Sequence, residues 1–340
     1  MDMFSIGCVL AEIFSDQVLF DLSGLLYYKE NKLDRVEHSL KRISNNSIRE
    51  LITNLTSLDP NKRKSCDQVL SELKGILFPN YFDKLYSLIS TLVHLSPDGK
   101  INYISREIEI YLQMILNENP EGVSILLTAI TSSIRSLTHL YCKLKAQRLI
   151  VYLVKTNPNT ASMSPFITDR LVPYIAYNFL NTDHRVRGEA VLSITELLER
   201  VTQLATSDNN IFTDYLLEML IKHILTDKST YVRLCLTRCI GRLCKVALNF
   251  LNQSCDHNYE MELNLLQDYF ITLVSNILTD PVNCVRRTLL SSPQNCANLC
   301  SFFGRQKTSE ILLGHIITFL NDKVINIPIT YLIRFLFLFF

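Results

Sequence analysis

Apolar positions recur at helical spacing along most of this chain. Between residues 47 and 58 they fall at 48, 51, 52, 55 and 58, one face of an amphipathic helix. The run stops at Leu58-Asp59-Pro60. Ser65 then stands at an N-cap position for a helix carrying Val69, Leu70 and Leu73. Upstream, Asp21 or Ser23 is placed to cap a short helix through Leu25 to Tyr28, and residues 33–43 read as loop with a short helix. Further helices are expected over 108–116, 123–137 and 144–154, with a turn at Ser96-Pro97-Asp98-Gly99 and a stop at Asn157-Pro158.

The opening stretch differs. Residues 3, 4, 6, 8, 9, 10, 11, 13 and 14 are apolar, and a helix apolar all round belongs inside a folded body. It has no charged n-region or cleavage site of a signal peptide, and it is too short to cross a bilayer. The expectation is a chain that begins within a domain.

From Pro165 onward the pattern repeats. Leu180 to Arg187, Leu225 to Arg233 and Leu278 to Arg286 each run from an apolar helix through a polar turn holding an Asp to a Val-Arg that opens a second helix. Val186, Val232 and Val285 are 46 and 53 residues apart, near the period of HEAT and armadillo units, about 40–47 residues. The wider spacing predicts a loop insertion around Asn252–Tyr259. In each copy the Asp (Asp183, Asp227, Asp280) is expected to cap the turn. Each Arg (Arg187, Arg233, Arg286) opposes the helix dipole and so needs a carboxylate from its own or a neighbouring repeat. The six residues read as a structural ladder rather than an anion site. The first copy is one residue shorter, so its turn is expected to differ. A fourth copy begins at Leu320-Asn321-Asp322, but Ile327-Pro328 stands where the Val-Arg should recur, and proline aborts a helix.

Composition narrows the function classes. The 340 residues carry 48% hydrophobic and 20% charged positions with a net charge of +1. That is a folded chain without the overall charge of a nucleic-acid or membrane-surface binder. Nine glycines fit an all-α chain with few tight turns. Ten cysteines without a CxxC pair read as buried thiols of a cytoplasmic protein rather than a zinc site.

Two motifs carry a family resemblance. Asp2-x-Phe4-Ser5-x-Gly7-Cys8-x-Leu10-x-Glu12 resembles the D-x-W-S-x-G-x-x-x-x-E stretch of eukaryotic protein kinases, and Leu58-Asp59-Pro60-Asn61-Lys62-Arg63-Lys64-Ser65 resembles their L-D-P-x-x-R-x-S/T stretch. The resemblance implies that residues 1–77 are part of a kinase C-lobe. There Asp2 would hold the catalytic loop, Gly7 and Asp59 would be structural, and Arg63 would pair with a glutamate of the activation segment. The sequence contains no glycine-rich loop, V-A-I-K lysine, H-R-D or D-F-G. We therefore assign no catalytic, cofactor or metal residue to it, and expect ATP and Mg only in a full-length parent.

Leu73 to Phe82, Ser133 to His139 and Phe302 to Thr308 are similar to stretches of the protein-kinase-like regulatory subunits of class III phosphatidylinositol 3-kinase complexes. That resemblance runs from about Asp2 to Lys323. It implies a partial C-lobe (1–77), a joining segment (78–95) and a HEAT-repeat α-solenoid (96–323). Residues 324–340 are expected to be a non-native apolar tail. The implied function is a scaffold for the lipid-kinase catalytic subunit and a beclin-type subunit in endosomal or vacuolar sorting and autophagy, cytoplasmic and peripheral on late endosomal or autophagosomal membranes. The alternatives are a piece of an active serine/threonine kinase and an unrelated HEAT adaptor.

Overall fold

The computed structural model describes residues 2–32, 35–204, 211–254 and 258–313. Among them every regular element is helical. The chain divides into two compact units between Ser87 and Leu88.

In the first unit, α1 (Asp2–Ser15) packs on α3 (Arg35–Leu40) and α4 (Asn46–Leu55), with α2 (Leu22–Lys29) and α5 (Cys66–Leu73) beside them in sequence. Capping residues set these boundaries. Asp21 accepts the Gly24 amide, Asn45 the Ile48 amide, and Ser65 forms a capping box with Gln68. Ala11, Leu19, Tyr28, Val36, Ile43 and Ile52 make the core. The α1 contact depends on small residues. A Cβ on Gly7 would lie 2.8 Å from Leu55 Cβ and 3.2 Å from the Leu55 carbonyl carbon. Gly7, Ala11 and Ser15 are the buried line of α1, whereas Val9 is 54% and Ile13 66% exposed. The expectation of all-round burial is therefore corrected. Small residues four apart let one side of α1 approach α4 closely, and the bulkier side faces outward.

The second unit stacks helix pairs. α6 (Phe82–Val93) reaches into it, and α7 (Pro97–Glu118), α8 (Val123–Ile134) and α9 (Leu140–Thr156) follow. The expected turn at 96–99 is instead the start of α7. Ser96 Oγ accepts the Gly99 amide at 3.2 Å and Pro97 takes the first helical position, where its missing N–H costs nothing. The chain between Thr160 and Leu180 is a broken helix: α10 (Thr160–Phe166), a π turn (Ile167–Leu171), α11 (Val172–Ala176) and a 3-10 turn (Tyr177–Leu180). Next come α12 (His184–Leu198) and a second broken helix, in which π turns Phe212–Leu216 and Ile221–Leu225 flank α13 (Leu217–Leu220). α14 (Thr230–Ser254), α15 (Tyr259–Leu278), α16 (Asn283–Ser291), α17 (Pro293–Thr308) and a π turn (Ser309–Leu313) complete the described chain.

α7, α9, α12, α14 and α17 stack one on the next, and the alternate helices pack behind them. Fully buried Phe179, Phe212, Phe250 and Phe270 fill the space between. Phe212 meets Phe250 edge-on at 5.5 Å, and Phe270 meets Phe302 at 5.0 Å. Of the expected loop insertion at Asn252–Tyr259, residues 252–254 end α14, Asn258 is a turn and Tyr259 opens α15, while residues 255–257 lie outside the described residues. α14 runs 25 residues against 15 for α12, because Val246, Ala247, Phe250 and Leu251 extend its buried stripe to Leu251. Asp322, Ile327-Pro328, Cys255 and the 324–340 tail lie outside the described residues.

Candidate scaffold site

The Arg and Asp positions singled out in the repeats come together across successive helix pairs. Arg187 of α12 donates from Nε and Nη2 to both carboxylate oxygens of Asp227, at 2.6 and 2.8 Å. One repeat on, Arg233 of α14 grips Asp280 in the same way at 2.6 and 3.2 Å. The side chains of Asp227 and Asp280 are each only 5% exposed. Burial pushes the Asp227 carboxyl upward, but the Arg187 bonds and the Ser229 amide outweigh it and hold its pKa below the usual carboxylate value. Both carboxylates also organise their own turns, Asp227 accepting the Ser229 amide and Asp280 the Val282 amide, each at 2.8 Å. The third guanidinium, of Arg286, donates to the Asp280 carbonyl and to Asn283 Oδ1.

The repeat register differs from the expected one at its first copy. Asn181, not Asp183, is the counterpart of Asp227 and Asp280. Asn181 Oδ1 accepts the amide two residues on, that of Asp183, at 3.1 Å. Its carbonyl accepts Arg187 Nη1 six residues on at 2.8 Å, as the Asp227 carbonyl accepts Arg233 Nη1 at 2.6 Å. Asp183 instead caps α12 directly at the Arg185 amide (2.8 Å), and its carboxylate is chelated by the Arg185 side chain. That hydrogen bond is the main reason its pKa falls to about 2. Among the described residues Asp183 therefore bonds within its own turn. The shared Asp in the three sequences obscured a shared Asx turn, which Asn makes as well.

A second rank of polar bridges, absent from the sequence reading, crosses the exposed faces of the same stack. Tyr152 donates to Glu109 at 2.8 Å, Arg148 grips Glu189 at 2.9 and 3.0 Å, Lys155 pairs with Glu196 at 2.5 Å, and Arg242 Nε reaches Glu199 at 2.7 Å. In each of these pairs the partners stand 41 or 43 residues apart, one repeat, a spacing that identifies them only once the stacking of the helices is known. At the start of the stack Asp98 does the same, accepting the Thr138 and His139 amides 40 and 41 residues on. Close backbone approach completes the lock. A Cβ on Gly188 would lie 2.5 Å from the Tyr231 ring, and one on Gly241 would lie 2.7 Å from Asn295 Cα.

In the first unit Arg63 lies 5.0 Å over the Phe4 ring and donates to the Ser57 carbonyl at 2.7 Å. This joins the two stretches that resemble kinase motifs. Asp59 accepts the Asn61 amide at 2.9 Å and starts the 3-10 turn Pro60–Lys62, while Asp2 is exposed in the first turn of α1. Burial pushes the Cys239 thiol up to about 11 and Cys296 to about 12, which removes them as nucleophiles. Among the described residues no cluster of His, Cys, Asp and Glu could hold a metal ion, and no helix is long and apolar enough to cross a membrane.

A family profile described as "PIK3R4-like, middle domain" matches residues 126–331, extending past Lys323, where the resembling motifs end. The serine/threonine-protein kinase VPS15 of Saccharomyces cerevisiae is 28% identical over 94% of this chain and 28% of its own length. The putative serine/threonine-protein kinase VPS15 of Komagataella pastoris is 28% identical over 94% of this chain and 27% of its own. The Arabidopsis thaliana protein named VPS15 is 23% identical, over 95% and 30%. The chain thus spans less than a third of the length of these relatives.

Proposed function

The chain belongs to the PIK3R4-like family, and on that premise we propose that it is the scaffold portion of a class III phosphatidylinositol 3-kinase regulatory subunit. In this reading the stacked pairs from α7 onward are HEAT repeats, and residues 1–77 are the end of a kinase C-lobe. The chain itself performs no catalysis. It holds the lipid-kinase catalytic subunit and a beclin-type subunit, peripherally on endosomal or autophagic membranes, in vacuolar protein sorting and autophagy. The observation that carries the reading is the Arg187–Asp227 and Arg233–Asp280 ladder. It fixes the α12 pair to the α14 pair and that pair to the next, and makes a surface that adjoining proteins can rely on. A pull-down with the purified catalytic subunit tests it: the folded full chain retains that subunit, and failure to do so overturns the reading.

The names of the relatives favour a second reading, in which a longer protein phosphorylates serine or threonine. Phosphate transfer from labelled ATP by the full-length protein separates the two.

A further inference from the structure

Between Phe212–Asp214, the C-terminal part of α14 and the N-terminal turns of α15 runs an open groove of about 240 Å³. Its floor is apolar and buried: Phe212, Phe250, Leu251 and Leu266. Two large apolar side chains one helical turn apart form its lip, Met261 at 64% and Leu265 at 47% exposure. Among the described residues, the charged groups that line it are both carboxylates, Asp214 and Glu262, with no Lys or Arg. A further carboxylate, Glu260, stands in the same first turn of α15.

The groove along α9 has a different character, because Arg148–Glu189 and Lys155–Glu196 already neutralise its rim. Exposed apolar side chains flanking a concave floor mark binding surfaces rather than ordinary exterior. The thioether of Met261 adapts to varied partners. A rim whose described charged groups are carboxylates, Asp214 also accepting the Thr213 hydroxyl at 3.1 Å, selects the charge of whatever fills the groove.

We propose that this groove receives a basic amphipathic segment of a partner protein, its apolar helix face on Met261 and Leu265 and its Lys or Arg flanks against Asp214 and Glu262. This goes beyond the scaffold reading, since the groove defines the partner's chemistry whatever complex the chain joins.

The test uses the full chain and a fluorescein-labelled amphipathic helical peptide of leucines and lysines, with a counterpart carrying glutamate for each lysine. Fluorescence anisotropy should show the lysine peptide binding and the glutamate peptide not. Met261→Ser with Leu265→Ser, and separately Asp214→Lys with Glu262→Lys, should each weaken binding about tenfold or more. Glu121→Lys, an exposed carboxylate elsewhere, should leave it within about twofold. Equal binding of both peptides, or wild-type affinity in the groove variants, overturns the proposal. Hydrogen exchange on the wild-type complex gives an independent readout that requires no variant to fold. Protection confined to 212–216 and 259–266 supports the groove, and protection elsewhere refutes it.

Discussion

Arg187 and Asp227 belong to successive helix pairs, yet they form a two-point ion pair at 2.6 and 2.8 Å with Asp227 almost fully buried. The same carboxylate shapes the turn that leads into α14. One side chain thus sets a local turn and joins two repeats, and Asp280 does both jobs one step further on.

Removing one partner should be costly, because it leaves the other charge buried without compensation. We expect Asp227→Ala to lower stability by about 3 kcal/mol, and Arg187→Ala by about as much. The double variant should lose clearly less than the sum of the two. Urea denaturation of the four proteins in a double-mutant cycle measures the coupling. Asp183→Ala, which removes a cap and an exposed local pair, should cost only about 1 kcal/mol.

The ladder also predicts a pH dependence. Asp227 is held below the usual carboxylate value, so its contribution to stability is present above its unfolded pKa and is lost as pH falls through the folded value. Unfolding midpoints should therefore be level near neutrality and drop in acid, below about pH 4. Asp227→Asn should flatten part of that drop. A midpoint series in urea from neutral to acid pH checks both.

Two glycines should respond for different reasons. Gly241→Ala drives a methyl into the Asn295 backbone, 2.7 Å away, and should cost about 1–3 kcal/mol as overpacking between α14 and α17. Gly304 has open space around it but sits at φ +73 and ψ 173 inside α17, so Gly304→Ala should cost about 1–3 kcal/mol through backbone strain alone. Thermal unfolding gives both losses. Removing the facing side chain by Asn295→Gly should not relieve the Gly241→Ala loss, because the close atoms there include the Asn295 Cα and carbonyl oxygen.

Thiol labelling should sort the cysteines by burial. Cys66 and Cys284 are exposed and should react with maleimide in the native chain. Cys239, Cys244 and Cys296 are buried, with burial raising their pKa, and should react only on unfolding. Peptide mapping after a brief pulse distinguishes the two sets.

Helical periodicity and capping residues were enough to place most helices, because Asp21, Ser65 and the Val-Arg openings act through local geometry. The ladder was legible as to residue type for a similar reason: an Arg in the first turn of a helix needs a carboxylate. Its register was not, since Asn181 and Asp227 make the same turn with different charges, and only the backbone bonds to Arg187 and Arg233 distinguish them from Asp183. The half-exposed α1 was also hidden. Counting its apolar residues treats Ala11 and Ile13 alike, whereas packing on α4 selects the small ones. The cross-helix pairs Arg148–Glu189 and Lys155–Glu196 required knowing which helices stack, which no single helix pattern contains.

The proposed function requires that α7 to α17 form a pre-set surface on which a lipid-kinase catalytic subunit assembles. Hydrogen–deuterium exchange of the full chain, alone and with saturating purified catalytic subunit, tests it most directly. The account predicts slowed exchange at one or more helices within residues 97–308, with helicity unchanged by binding. Identical exchange throughout that range, in a chain shown to be folded, would contradict it.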